Sequence, residues 1–90
     1  MVRIELVPDL SHCVETVAKK EHRETMEELL ATGKGSKELQ ERMELMRIFL
    51  ETMDFKKLRR ESEKHLIEGR KVKFIVYLEE GAPKYELQVM

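Results

Sequence analysis

Three histidines and one cysteine are the side chains of this 90-residue chain best suited to chemistry: His12 beside Cys13, His22, and His65 four residues after Glu61. A thiol next to an imidazole suggests a nucleophile with its base, and a histidine paired with a carboxylate suggests part of a metal site. The spacing argues against both. Neighbouring residues on a helix point about 100° apart, and no paired His or Cys spacing of a zinc motif occurs. Cys13, between Leu10 and Val17 on an apolar stripe, reads as a small core residue. His22, in line with Ala18 and Met26, reads as a partly buried histidine, and Glu61 with His65 as a surface hydrogen bond. No catalytic, metal or cofactor residue is assigned, and an enzyme or metal protein ranks third among the functional readings.

A stronger signal lies in the charges. The formal net charge is −1, yet 8 of the 17 basic residues fall between positions 56 and 73. That stretch carries 3 acidic residues and a net +5, while residues 1–55 carry −4 and residues 74–90 carry −2. Segregation of this kind creates a local positive potential that could meet phosphate, an acidic partner or the acidic part of a second copy. The candidate anion-binding residues are Lys56, Lys57, Arg59, Arg60, Lys64, Arg70, Lys71 and Lys73. Lys56, Arg60 and Lys64 recur at four-residue spacing, where like charges repel by about a few tenths of a kcal/mol. Against a nucleic-acid site, Lys57 with Glu61, Arg59 with Glu63 and Lys64 with Glu68 are each spaced to form an ion pair on a helix. An ordinary solvated face is therefore favoured.

These side chains need elements to hold them. Val2, Ile4 and Leu6 alternate with Arg3 and Glu5, the pattern of a half-buried strand, and Pro8 ends it before Asp9 or Ser11 can cap a helix. A helical stripe of Leu10, Cys13, Val14, Val17, Ala18, Met26, Leu29 and Leu30 then runs about twenty residues to Gly33. The segment Thr32-Gly33-Lys34-Gly35-Ser36 resembles a phosphate loop faintly, but it lacks that loop's spacing and a preceding strand, so it reads as a helix end and a helix cap. Ser36 caps a second helix bearing Leu39, Met43, Met46, Leu50 and Met53. Seven of the eleven residues from Met43 to Met53 are apolar, more than one covered face needs, so this helix is either central or an interface. The apolar phase shifts at Phe55, Leu58, Leu66 and Ile67, and a continuous helix from Ser36 to Glu68 would be roughly 50 Å long. A break near Asp54 is expected. From Arg70 the period becomes two: Val72, Phe74, Val76 and Leu78 line one face, a turn follows at Glu79–Pro83, and Tyr85, Leu87 and Val89 return.

The expected fold is α+β, in the order β-α-α-(α)-β-β, with a three-stranded, mainly antiparallel sheet on a helical layer and one domain over residues 1–90. Strand, basic last helix and hairpin together resemble a winged-helix arrangement in topology alone. Glu79 and Glu80 at the wing tip depart from it, as does the lack of a Gly-bearing turn before the last helix. A chain this short buries a thin core, and Ile75 and Tyr77 put apolar surface on the second face of the hairpin. A homodimer is expected, with Met43, Met46, Phe49, Leu50, Met53, Ile75 and Tyr77 as candidate interface residues. The leading functional reading is a non-enzymatic homodimeric interaction or accessory module, with another protein as a further partner. Nucleic-acid binding through residues 56–73 is the runner-up. No apolar run is long enough to span a membrane and no leader is legible, so the chain is expected in the cytoplasm. One cysteine agrees with a reducing compartment. Sixteen Glu against two Asp, with no Asn, resembles a thermophile's composition.

Overall fold

The computed structural model describes residues 2–33 and 36–90 and has six elements: β1 (Arg3–Leu6), α1 (Val14–Ala31), α2 (Lys37–Thr52), α3 (Phe55–Ile67), β2 (Val72–Glu79) and β3 (Ala82–Val89). The sheet is antiparallel throughout, in the order β1-β2-β3. Ile4 faces Val76, Leu6 faces Phe74, and Phe74 faces Leu87 across the two ladders. The expected α+β class and element order are those found.

Helix boundaries follow the cap chemistry in two of three cases. Ser36 accepts from the Leu39 amide at 3.1 Å, and Asp54 accepts from the Lys57 amide at 3.2 Å. Met53 and Asp54 are both extended, Asp54 caps the start of α3, and the long continuous helix does not form. The first helix departs from expectation. Asp9 Oδ1 accepts from the amides of Ser11 and His12 at 2.8 and 2.7 Å, closing a local turn instead of capping a helix. The helix consequently begins at Val14 with Cys13 as its N-cap residue, and Leu10 lies outside it, 67% exposed. Lys34 and Gly35 of the loop resembling a phosphate site lie outside the described residues.

The core gathers one face of five elements, Ile4 and Leu6, Val14 and Ala18, Leu45, Met46 and Phe49, Leu58, and Phe74 and Val76, with Tyr85 and Leu87 of β3 packed half-buried against it. Phe49 meets the Phe55 ring edge-on at 5.5 Å between centroids, bracing α2 against the start of α3. The apolar excess of α2 has its explanation here. Its second covering surface is α1 of the same chain, with Arg42 ion-paired to Glu21 of α1 beside the packed side chains. The stripes assumed for α1 and α3 need correction at their ends: Met26, Leu30 and Ile67 are exposed, while Thr25 and Ser62 are buried. Ser62 is accommodated because its hydroxyl donates to the Arg59 carbonyl at 3.0 Å.

The β2–β3 hairpin turns on two residues, Glu80 and Gly81, with φ of 53° and 79°. Left-handed backbone at both positions is the geometry that matches the twist of the strands. Glycine adopts it freely and glutamate does not. We expect Glu80→Asn to raise unfolding free energy by about 0.5–1 kcal/mol, and Phe49→Ala to lower it by about 3–5 kcal/mol, both read from urea denaturation.

Candidate interaction surfaces

The side chains that could do chemistry are not brought together. His12 Nδ1 sits 3.3 Å from Asp9 Oδ1 on the surface. Cys13 is half-buried at the α1 N-terminus with Sγ 3.4 Å from Thr16 Oγ1, so it is a helix-start residue and not the core residue expected. The Thr16 hydroxyl and amide hold its thiol below the usual range. His22 is half-buried on α1. Glu61 and His65 do not bond to each other: Glu61 accepts from the Tyr85 hydroxyl at 3.1 Å, and Arg70 Nε donates to His65 Nδ1 at 3.2 Å. Among the described residues, no group of three or more His, Cys, Asp or Glu is placed to hold a metal ion.

The basic segment is rearranged relative to the ion pairs its spacing suggests. Of the three expected, only Arg59 with Glu63 forms, at 2.6 Å. Glu61 turns inward to Tyr85, and Glu68 pairs with Arg70 at 2.8 Å. Lys73 leaves the helix surface altogether, lying on β2 with its Nζ 3.5 Å from Glu5. Lys56, Lys57, Arg60 and Lys64 are exposed on α3, and Lys71 follows it; among the described residues none of the five has a carboxylate within ion-pair distance. At 100° per residue the four on α3 fall within an arc of about 100°. Leu58 and Ser62, the buried residues of α3, lie opposite.

A second surface is the outer face of the sheet. The ladders align it in rows: Arg3, Tyr77 and Lys84 in one, Glu5, Ile75 and Glu86 in the next, then Lys73 and Gln88. The Arg3 guanidinium lies 4.7 Å from the centre of the Tyr77 ring. Ile75 and Tyr77 are half-buried, whereas the buried strand residues Ile4, Leu6, Val72, Phe74 and Val76 all lie on the opposite, helix-covered face. The free edge of β3 is blunted. Met90 N donates to Lys71 O at 2.8 Å, which sets the ladder so that residue 83 points its backbone away from β2. Pro83 has no N–H to offer there.

The interface residues proposed on α2 divide differently. Met46 and Phe49 have 0% exposure within one chain, and Leu50 and Met53 pack against the same core. Met46 and Phe49 thus cover the inside of this molecule, while Leu50 and Met53 are half-buried at its margin. Met43 is half-buried, outside that cluster. Ile75 and Tyr77 instead lie on the outer face of the sheet, among charged residues whose alternation in sign depends on register across three strands.

A protein-family model matches residues 1–87. The chain belongs to that family. No curated protein and no solved structure matches it. No helix of the described residues is long and apolar enough to cross a membrane.

The Tyr85–Glu61 contact ties β3 to α3 and leaves a titration signature. Burial and the neighbouring carboxylate push the Tyr85 hydroxyl above its ordinary value. The folded protein thus holds this proton more tightly than the unfolded chain, a contribution present below a pH of about 10 and lost as pH rises through the folded value. Glu61→Gln should bring the tyrosinate midpoint down while burial keeps it above the free value, as read from ultraviolet absorbance during alkaline titration.

Proposed function

We propose that the protein is a non-enzymatic interaction module that works as a homodimer, with the second copy seated on the outer face of the sheet. The observation that carries this reading is the sign pattern of the rows. A two-fold axis crossing the strands between the first two rows lays Arg3 over Glu5, Tyr77 over Ile75 and Lys84 over Glu86 of the second copy, and each contact occurs twice. An isologous interface requires a patch complementary to itself, and alternation of opposite charge around a central apolar pair meets that requirement. Face-to-face packing of two sheets at about 10 Å is a common way to cover such a surface.

The dimensions support the same reading. The chain measures 43 × 28 × 21 Å and exposes 5998 Å², against roughly 5500 Å² for a compact monomer of this mass. A flat, one-sided sheet protein gains most from a partner on the bare side. Pro83 turns that partner away from the β3 edge and towards the face.

Charge exchange tests the arrangement. Lys84→Glu and Glu86→Lys should each weaken association at least tenfold, because each places like charges opposite one another. The double variant exchanges the signs and should recover the affinity of the parent chain. Sedimentation equilibrium over a concentration series gives the constants, and denaturation checks the fold. A monomeric parent chain, or two single variants that associate unchanged, would refute the proposal.

A further inference from the structure

Four cations on one side of α3 have no carboxylate to neutralise them among the described residues, although the sequence spaces Glu61 and Glu68 to pair with two of them, Lys57 and Lys64. The fold directs Glu61 to Tyr85 and Glu68 to Arg70, while Glu63 makes its expected pair with Arg59. Lys56, Arg60 and Lys64 thus stand about 6 Å apart along an exposed ridge, with Lys57 on its flank. Mutual repulsion at this spacing is unfavourable in isolation and is relieved by an extended anion. We propose that this ridge binds the phosphate backbone of duplex DNA, without reading base sequence. This does not rest on the dimer reading, since the ridge belongs wholly to α3 of one chain.

The shape of the surface selects that partner. The ridge is the outer side of a helix, and only its first cation, Lys56, borders a small pocket, shared with Cys13, Glu15, Phe55 and Arg59. A bound peptide requires a groove or pockets for its side chains, and a single nucleic-acid strand requires aromatic platforms for its bases. The pocket bordering α3 lies at its first turn, beside Cys13 and Glu15 and away from Arg60 and Lys64, and Phe55, the aromatic residue of α3, is half-buried against Phe49. The major groove of B-form DNA is concave, bordered by phosphates and about as wide as a helix with its side chains. The corresponding groove of duplex RNA is too narrow for one. Exposed Ile67, at 72%, falls in the same arc as the cations and offers apolar contact to sugar at the end of the ridge.

The test uses the full chain and a fluorescein-labelled mixed-sequence DNA duplex, followed by anisotropy over a series of sodium chloride concentrations. Four phosphate contacts predict a log–log slope of affinity against salt of about −3 to −4. Lys57→Gln with Arg60→Gln should reduce the slope to about −2 and weaken low-salt binding at least about tenfold. Both positions are exposed, so the fold should persist, as circular dichroism will show. Lys19→Gln with Lys20→Gln on α1, whose lysines pair with Glu15 and Glu24, should leave slope and affinity unchanged. Four results would overturn the proposal: no binding at low salt, a ridge variant that binds like the parent, an α1 variant weakened as much as the ridge variant, or tighter binding to duplex RNA. Competition by polyglutamate as effective as that by unlabelled DNA at equal charge would instead assign the ridge to acidic protein.

Discussion

The break at Met53 and Asp54 is the constraint on which the rest of this structure depends. Met53 is extended, with φ −79° and ψ 142°, and the Asp54 carboxylate then gathers the Lys57 amide to start a new helix. Without that reversal, α2 and α3 would form one rod, and the apolar residues on either side of the break would not meet. With it, Phe55 folds back on Phe49, Leu58 joins the core under the sheet, and α2 is enclosed by α1 and the strands. One capping interaction contributes only about 1 kcal/mol. Its larger consequence is geometric, because it sets the phase in which α3 presents its buried and charged sides.

That phase decides how charge is distributed. Leu58 and Ser62 point inward, so Lys56, Arg60 and Lys64 must point outward, and Glu61 at the boundary comes within reach of Tyr85. A carboxylate that accepts from a partly buried phenol is more strongly held than one that shares a solvated ion pair with a flexible lysine. The helix therefore loses internal neutralisation in favour of a contact between layers. The basic side of α3 is thus a consequence of how the sheet is anchored, and the same contact that joins β3 to the helices leaves Lys57 unpaired.

Much of the architecture was legible in the residues. The period-two runs gave the three strands, and Ser36 and Asp54 gave two of the helix starts; the turn expected over Glu79–Pro83 is shorter in the structure, where Glu79, Ala82 and Pro83 pair in the strands and Glu80-Gly81 alone make it. Those signals are local, carried by neighbours along the chain. The readings that needed correction concern competition between local possibilities. Asp9 had two uses, a turn and a cap, and the turn took it; Leu10, Met26, Leu30 and Ile67 matched a helical period but are exposed. Cys13 matched the apolar stripe and instead sits at the helix start.

By itself, the sequence determined the α+β class and the concentration of positive charge between residues 56 and 73, and it pointed to a break near Asp54 that the structure made definite. Only the tertiary structure decided whether the greasy face of α2 was interior or interface, which carboxylates were left to balance the lysines, and that the outer sheet face alternates in sign. The physical reason is that hydrophobic periodicity and capping act within a few residues, whereas covering a face or pairing a charge depends on atoms more than twenty positions away. Tyr85 and Glu61, 24 residues apart, meet only once the sheet and helices have packed.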